Sequence, residues 1–295
     1  MRLTIAIPTY GRDAVLVDTL GYVLALDPPA DEVLVVDQTP RHDDATEEQL
    51  GAWSRDGAIR WERLPQPSIP HAMNVALQRA SGEVVLFLDD DLIPCRDLAA
   101  RHLAAIAGAD AVVGQILQPG EEPVTLAAPQ PRGRLADLEF RFNSDTATNV
   151  TNVMAGNLAV RRDRALAIGG FDENFVDTAY RFETDFAWRL AAAGGAIRFE
   201  PSASIRHLKA ERGGLRTWGT HLRSAKPAHS TGDYYFALMN LRTAQLPLYV
   251  LRRMRRSAFS RFEVTHPWWI PLKIVRELRA LARAAVLAKR GRVTM

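Results

Sequence analysis

Three adjacent carboxylates stand out in the first third of the chain, where the apolar run VVLFL ends in Asp89, Asp90 and Asp91. A turn after a strand needs only one Asp to cap it, and a solvated turn is the simpler explanation of an isolated acidic triplet. Several carboxylate oxygens at the end of a buried strand also suit Mg²⁺ or Mn²⁺, which share such ligands with substrate phosphates. The triplet therefore predicts a divalent metal site beside a diphosphate.

A second acidic group opens the predicted helix RFETDFAWRL. Glu183 shares a side of this helix with Phe186 and Leu190, whereas Asp185 lies on the other side with Arg189 at i+4. An exposed ion pair with Arg189 would explain Asp185 without a catalytic role. Glu183 lacks such an explanation, and a carboxylate held on the apolar side of a helix suits a general base.

His207 follows the segment SIR and has Arg206, Lys209 and Arg212 as basic neighbours. Imidazole is a common metal ligand, but a lone histidine is more often a packed or exposed side chain. The nearby cations suit an alternative role, which is to neutralise a diphosphate. The local sequence leaves both alternatives open.

The elements that must position these residues alternate between short apolar runs and helical patterns. Strands are predicted at LTIAI, EVLVVD, AIRWERL and EVVLFLD. Helical spacing follows Asp13, which is expected to cap the first helix, and resumes at His71. This alternation is typical of α/β proteins in which helices cover both faces of a mostly parallel sheet. Because ligands bind at the carboxyl ends of such strands, the loops 8–12, 37–40 and 89–91 are the expected site.

Two other segments carry weaker signals. Residues 118–154 form a Pro-rich, polar stretch, and a loop of this length inside a compact domain is usually functional. Gly169 and Gly170 allow close backbone approach before FDENF, although a helix C-cap would explain Gly169 alone. The glycine motifs of Rossmann dehydrogenases, P-loop kinases and α/β-hydrolases do not occur in the required context, which argues against those enzymes.

The composition indicates the cellular compartment. The 295 residues are 47% hydrophobic and 24% charged and include one cysteine. These values predict a folded protein without an intramolecular disulfide, in the reducing cytoplasm. The first residues lack a signal-peptide pattern, and prolines or arginines interrupt each apolar run before it reaches the length of a membrane span. We therefore expect no transmembrane helix.

The formal net charge of +3 is unevenly distributed. Residues 241–295 contain 13 Lys or Arg and 2 acidic residues, which gives this segment +11 and the first 240 residues −8. Its last helical pattern, preceded by Trp268 and Trp269, has Lys273, Arg276 and Arg283 opposite an apolar side. The apolar side consists of Ile274, Val275, Leu278, Leu281, Ala282 and Ala285. Contact with an anionic membrane and packing on protein with a solvated basic face explain the pattern equally well. No nucleic-acid partner is expected.

Several motifs occur in an order that resembles the family 2 glycosyltransferases of the GT-A fold. They are IPTYGR, VVDQTP, SGEVVLFLDDDLIP, GNLAVRRDRALAIGGFDENF, ETDFAWRL and SIRHL, within residues 1–215. The resemblance implies an α/β GT-A fold with a Rossmann-like, mostly parallel sheet. We expect a GT-A domain over residues 1–230, with a nucleotide-binding half (1–115) and an acceptor and catalytic half (116–230). A basic helical extension is expected over residues 231–295.

The resemblance also implies roles for individual residues. Mn²⁺ or Mg²⁺ would be bound by Asp89, Asp91 and His207, and Glu183 would be the catalytic base, with Asp185 as a later acid of the same motif. The nucleotide sugar would contact Pro8, Thr9, Tyr10, Arg12, Asp37, Gln38, Asn74, Asp89, Asp90, Gly156 and Asn157.

Two departures from the family pattern affect these expectations. Gln38 stands where many members have an Asp that accepts the imide proton of uracil. Because an amide both donates and accepts hydrogen bonds, UDP, dTDP and GDP sugars are all admissible. Phe182 replaces the first acid of the family's Glu-Asp pair, so the assignment of the base depends on Glu183 alone.

The implied reaction is a metal-dependent transfer with inversion, in which Glu183 deprotonates an acceptor hydroxyl that attacks the anomeric carbon. The acceptor would be a glycan or a lipid-linked molecule of polysaccharide, glycolipid or other glycoconjugate synthesis, reached at the inner face of the membrane if the tail binds lipid. A sugar-phosphate nucleotidyltransferase is one alternative, disfavoured by the single glycine of PTYGR. A sugar-nucleotide-binding protein without turnover is another, disfavoured by the joint presence of Asp89, Asp91, Glu183 and His207.

Overall fold

The computed structural model describes residues 1–125, 135, 137–215, 226–258 and 265–295. The strands in these ranges are β1 (Leu3–Thr9), β2 (Glu32–Asp37), β3 (Arg60–Arg63), β4 (Val84–Leu88), β5 (Leu92–Pro94), β6 (Ala111–Leu117), β7 (Thr148–Asn149), β8 (Asn157–Arg161) and β9 (Ile197–His207). The helices are α1 (Ala14–Leu24), α2 (Asp44–Arg55), α3 (Ile69–Arg79), α4 (Leu98–Ile106), α5 (Arg162–Ala167), α6 (Phe182–Ala192), α7 (Ala228–Asn240), α8 (Leu246–Ala258) and α9 (Ile270–Arg290).

The strands form one sheet in the order β3-β2-β1-β4-β8-β6-β9-β5, and β7 pairs with β9 outside this path. β3, β2, β1 and β4 are parallel to one another. β8 is antiparallel to both its neighbours, so β6 and β9 again run in the direction of β4. β5 and β7 are antiparallel to β9. The predicted α/β fold with a mostly parallel central sheet is confirmed.

Strand β4 shows how the sequence builds a hydrophobic core on each face of the sheet. Successive side chains of a strand point to opposite faces. Val85 and Phe87 therefore pack in one core with residues of α3 and α6, and Val84, Leu86 and Leu88 pack in the other with residues of α1 and α4. Both faces are apolar, and helices cover both, as the uninterrupted hydrophobic run predicts.

Two helix starts differ from the sequence expectation. Asp13 occupies the N-cap position of α1, but its side chain makes no capping hydrogen bond; its Oδ1 instead lies 3.0 Å from Nδ1 of His42. Helix α3 begins at Ile69, two residues before the predicted start, because Ser68 accepts the N–H of His71 and acts as the cap.

The C-terminal helices share the core of the sheet. Tyr234, Tyr235 and Phe236 of α7 are fully buried in the core that contains α3 and α6. After α9 the chain returns to the sheet domain, where the N–H of Met295 donates to the carbonyl of Gly169. The expected boundary between residues 230 and 231 lies inside α7, so the basic extension and the first 230 residues have a helix in common.

Residues 126–134 and 136 of the Pro-rich stretch lie outside the described residues. Its described part contains β7 and a short 3₁₀ turn at Asp137–Glu139. Within the described ranges, no helix has the length and apolar character needed to cross a membrane.

Candidate active site

A cavity of about 440 Å³ lies at the carboxyl ends of β1 and β4, which are neighbours in the sheet. Eleven of the residues predicted for the site line it: Pro8, Thr9, Tyr10, Arg12, Gln38, Asp89, Asp90, Asp91, Gly156, Glu183 and His207. Residues almost two hundred positions apart in sequence are thus brought together. The cavity lies at strand ends, where the rule for open α/β sheets places ligands.

The outer two acids of the triplet meet His207. Its Nε2 lies 3.0 Å from Oδ1 of Asp91 and 3.7 Å from Oδ2 of Asp89. One possible ligand atom from each of the three side chains lies within 4.8 Å of the other two. The antiparallel pairing of β5 with β9 creates this cluster, since it sets Leu92, next to Asp91, opposite His207.

The cluster has the chemistry of a divalent cation site. Carboxylates suit Mg²⁺ and Mn²⁺, whereas an imidazole is a more usual ligand of transition metals. Nδ1 of His207 lies 3.1 Å from Oε1 of Gln118, which orients the ring so that Nε2 faces the acids. The residues present therefore fit a divalent ion.

Electrostatics favour the charged forms of two members of the cluster, Asp91 and His207. Burial disfavours the carboxylate of Asp91, but hydrogen bonds from His207 and the Ala210 N–H, together with Arg12, hold its pKa below the usual range. Burial likewise disfavours protonated His207, but Asp91 and Asp89 raise its pKa above the usual value. The two acids thus favour the protonated form of His207.

The middle acid, Asp90, has a different environment. Its Oδ2 accepts the hydroxyl of Thr9 at 2.7 Å and its Oδ1 accepts Nε of Arg12 at 3.2 Å. Burial raises the pKa of Asp90 to about 6, against the opposing effects of Arg12 and Thr9. These bonds tie the end of β4 to the loop after β1, so Asp90 shapes the floor of the cavity.

Arg12 joins this floor to the segment that follows β9. Its guanidinium donates to Asp90 and Asp91 and also to the carbonyls of Ala210 and Arg212. Gly213 makes the close approach possible: its φ is +80°, and a Cβ atom there would lie 2.2 Å from the carbonyl oxygen of Gly11. Arg12 thus neutralises the acids and holds this segment over them.

Glu183 and Asp185 occupy opposite environments in α6. Glu183 is half-buried in the first turn and lines the cavity. Asp185 is fully buried and accepts hydrogen bonds from Nε of Arg189 at 2.8 Å and Nδ2 of Asn240 at 2.8 Å, with Nη2 of Arg292 at 3.1 Å. The expected exposed ion pair at Asp185 is wrong, because α7 and the C-terminal segment cover this side of α6. Asp185 is not among the described residues that line the cavity.

Asp37 also lies away from the described lining. It is fully buried, and its Oδ1 accepts the N–H of Thr39 at 2.8 Å. Its Oδ2 accepts Nε1 of Trp61 at 3.0 Å and lies 2.9 Å from Nε2 of His42. Asp37 therefore fixes the loop after β2, and the neighbouring Gln38 is the residue that reaches the cavity.

Two predicted asparagines have internal roles as well. The amide of Asn74 donates to the carbonyl and accepts the N–H of Phe171, both at 2.8 Å, and so joins α3 to the loop before α6. Asn157 donates to the carbonyl of Ala203 at 2.8 Å and lies 2.7 Å from Nε2 of the buried His102. Neither belongs to the described lining, whereas Gly156 does. A Cβ atom at Gly156 would lie 2.3 Å from Oδ2 of Asp89.

Sequence reasoning missed several lining residues, including Ile69, Met73, Gln118 and Met154. Gln118 directly follows β6, so the strand-end rule applied to that strand would have found it. Met73 gave no such signal, since an apolar residue at helical spacing predicts a core position, which Met73 also occupies.

A sequence model described as "Glycosyl transferase family 2" matches residues 4–168. The matched range contains the acid triplet and ends before Glu183 and His207. A comparison with curated protein sequences finds no match.

Solved structures of glycosyltransferases resemble the chain over most of its length. One is a mannosyltransferase, PcManGT from Pyrobaculum calidifontis, in complex with GDP-Man and Mn²⁺: identity is 21%, the TM-score is 0.57, and the match covers 98% of this chain and 79% of that one. GalNAc-T7 with UDP, GalNAc and Mn²⁺ has 13% identity and a TM-score of 0.66, over 95% of this chain and 57% of that one. TarS 1-349 of S. aureus in complex with UDP-GlcNAc has 15% identity and a TM-score of 0.55, over 98% and 91% of the two chains. At these identities the likeness shows the fold, which is GT-A.

Proposed function

The chain belongs to glycosyl transferase family 2, and from this premise we propose that it transfers a sugar from a nucleoside-diphosphate donor to an acceptor hydroxyl in a metal-dependent, inverting reaction. The observation that carries the proposal is the meeting of Asp89, Asp91 and His207 in one cavity with Glu183. A nucleotide sugar and Mn²⁺ accompany the mannosyltransferase from Pyrobaculum calidifontis, which has the same fold.

Asp89, Asp91 and His207 would hold the ion. When bound, a divalent cation stabilises the charge that develops on the leaving diphosphate. Because one of the three donors is an imidazole, Mn²⁺ fits the set better than Mg²⁺ does. Lys209, which also lines the cavity, adds a positive charge beside the phosphates.

Glu183 is the proposed general base. Its carboxylate would accept the proton of the acceptor hydroxyl as the oxygen attacks the anomeric carbon. A single displacement inverts the configuration at that carbon, and no covalent nucleophile is needed. The position of Glu183 in the first turn of α6, at the wall of the cavity, supports this role, whereas the internal bonds of Asp185 support a structural one.

The donor nucleotide would lie between the loop after β1 and the start of α3. Gln38 is nearly fully buried there, accepts the N–H of Ser68 and has its Nε2 3.5 Å from the carbonyl of Thr9. These contacts hold the amide in place, so it presents a fixed edge to the base. UDP, dTDP and GDP remain the candidates, and thermal shift with each nucleotide would rank them.

The proposal includes peripheral contact with an anionic membrane. It is supported by helix α9, in which charged side chains are buried and apolar side chains are exposed. Lys273 and Arg276 are 2% and 4% exposed, and Arg276 pairs with the buried Glu277 at 3.0 Å. By contrast, Ile274 and Leu278 are 46% and 53% exposed. In the first half of the helix, charged side chains thus face protein while Ile274 and Leu278 face outward. Further along, Ala280, Ala284 and Leu287 pack in the hydrophobic core. Contiguous exposed apolar surface of this kind marks interaction sites.

Charge favours a lipid surface as the occupant of this face. Trp268, 67% exposed, precedes the helix, and Arg279, Lys289 and Arg290 along it form no ion pair with any described residue. The segment 241–295 carries +11, so the same segment of a second copy would be repelled from this face. A tryptophan beside an apolar stripe with basic residues at its edge is typical of an interfacial helix.

Vesicle flotation tests the membrane contact with the full chain. Binding to vesicles containing phosphatidylglycerol is expected, with at least tenfold less binding to phosphatidylcholine vesicles. Ile274→Glu/Leu278→Glu should abolish flotation. The control Ala45→Glu/Gln78→Glu adds the same charge at exposed positions of α2 and α3 and should float normally. Equal flotation of both variants, or a dimer that only Ile274→Glu/Leu278→Glu dissociates, would refute the contact.

The catalytic proposal is tested with a panel of sugar nucleotides incubated with Mn²⁺, with Mg²⁺ or with chelator. We expect release of a nucleoside diphosphate only when metal is present, and a product of inverted configuration by NMR. Release of pyrophosphate from a nucleoside triphosphate and a sugar phosphate would instead indicate a nucleotidyltransferase. Donor binding without any product would indicate a binding protein.

A further inference from the structure

A second cavity, of about 580 Å³, lies beside α8 and the segment that precedes α6. The charged side chains in its described lining are Arg181, Arg252, Arg253, Arg256, Glu139 and Asp233. Four arginines therefore face two acids. Nothing in the proposed reaction so far uses this cavity.

The arginines exceed what the acids of the cavity can neutralise. Asp233 is shared by Nε of Arg181 at 3.3 Å and Nη1 of Arg253 at 3.0 Å. Arg256 pairs with the exposed Glu139 at 2.6 Å, and Arg252 forms no ion pair with any described residue. Glu277 lies behind Arg253 at 3.5 Å, but it is also paired with Arg276. The cavity keeps a surplus of positive charge.

One short segment, residues 180–183, contributes to the lining of both cavities. Tyr180 and Arg181 line the second cavity, and the next residues, Phe182 and Glu183, line the first. The segment is unusual, because Ala179 and Arg181 both have positive φ angles, 49° and 74°, although neither is a glycine. Non-glycine residues in this region concentrate at functional sites.

Helix α7 fixes this segment in place. Gly232 packs so closely against it that a Cβ atom would lie 2.2 Å from the carbonyl oxygen of Tyr180. Tyr249 of α8 donates to Asp233 at 2.6 Å, which also holds Arg181. A molecule bound in the second cavity is therefore held at a fixed position relative to Glu183.

The lining defines the chemistry of the ligand. The planar guanidinium groups of arginine match the oxygens of phosphate and carboxylate groups. Tyr180 and Leu248 add an aromatic ring and an apolar rim. The donor diphosphate has its own proposed partners in the first cavity, namely Lys209 and the divalent ion that Asp89, Asp91 and His207 would hold.

We propose that the second cavity binds an anionic group, a phosphate or a carboxylate, of the acceptor molecule. This inference rests on the proposed glycosyl transfer and names its acceptor class. The acceptor carries a negative group that binds the arginines and a hydroxyl that reaches Glu183 across the segment 180–183.

A binding experiment tests this site without turnover. Glycerol 3-phosphate, which combines a phosphate with free hydroxyl groups, serves as the probe in chelator-treated buffer, and its affinity is measured by calorimetry. Arg252→Gln/Arg256→Gln should weaken binding at least tenfold. The control Arg255→Gln/Arg55→Gln removes the same charge from exposed arginines outside the described lining and should change the affinity less than twofold.

Metal-dependent donor hydrolysis, measured without acceptor, separates this inference from the proposed function. Arg252→Gln/Arg256→Gln should hydrolyse the donor at the wild-type rate. Equal probe affinity in the two double variants would overturn the acceptor site even if hydrolysis is normal. Absence of hydrolysis in every protein, with the probe still bound through Arg252 and Arg256, would refute the transferase reaction and leave an anion site.

Discussion

The two cavities of this chain have opposite charge balance. The first contains Asp89, Asp90, Asp91 and Glu183 against Arg12 and Lys209, a formal charge of −2 with His207 neutral. The second contains four arginines against two acids, a formal charge of +2. The first has a surplus of negative charge and the second a surplus of positive charge, and the segment 180–183 contributes to the lining of both. The difference predicts a metal with a nucleotide on one side and an acidic acceptor on the other.

The largest effect is expected from Glu183→Gln. Loss of the general base should reduce transfer by about 10²–10⁴-fold. Affinity for Mn²⁺ should not change, because Glu183 lies outside the metal cluster. Steady-state transfer assays together with Mn²⁺ titration measure both quantities, and Glu48→Gln on the exposed side of α2 is the control. Transfer within twofold of wild type would remove Glu183 from the mechanism.

Asp185→Asn should affect stability instead. The substitution leaves Arg189 and Arg292 without their buried carboxylate, and breaking a buried ion pair costs about 3–5 kcal/mol. Urea denaturation measures the free energy of unfolding, and Asp163→Asn at an exposed position is the comparison. If the Asp185→Asn protein is stable but inactive, Asp185 has a catalytic role instead.

A smaller, pH-dependent effect is expected at His42, behind the nucleotide end of the first cavity. Burial disfavours its protonated form, but Asp37 and Asp13 raise the pKa above the usual 6.5. Its contribution is therefore complete below pH 6.5 and is lost as the pH rises through the raised pKa. His42→Gln should lower the free energy of unfolding by about 1 kcal/mol at acidic pH, and the deficit should shrink at alkaline pH. A deficit that grows with pH would contradict this assignment.

The smallest effects should be the cross-effects between the cavities. Arg252→Gln/Arg256→Gln should leave Mn²⁺ affinity within twofold of wild type, and Asp91→Asn should leave glycerol 3-phosphate affinity equally unchanged in chelator. Calorimetry with both ligands on both variants provides the four values. A tenfold cross-effect would mean that the two cavities act as one site.

Local sequence predicted the first cavity better than the second because strand ends are local features. The apolar run of β4 followed by acids could be read directly, and so could the loops after β1 and β2. The partner of Asp91 depended on the pairing of β5 with β9, which is a long-range contact. The resemblance supplied His207, which the local residues alone had left open.

Long-range packing also explains why the sequence did not predict the environment of some residues. Asp185 has an ordinary i+4 partner in sequence, and only the covering helix α7 and Arg292 bury it. Ile274 and Leu278 were identified as apolar positions of α9, but their outward direction follows from Glu277, which accepts hydrogen bonds from Ser230 and Tyr234 of α7. The second cavity draws its lining from segments distant in sequence, and no strand-end rule applies to it.

Mn²⁺ binding is the most direct test of the acidic first cavity as a metal site. Electron paramagnetic resonance should show one Mn²⁺ bound per wild-type chain, and the signal of bound metal should be lost in Asp91→Asn. Asp44→Asn, at a fully exposed aspartate, should bind as wild type does. Undiminished Mn²⁺ binding by Asp91→Asn, or none by the wild-type chain in the presence of a nucleoside diphosphate, would contradict the assignment of the metal site.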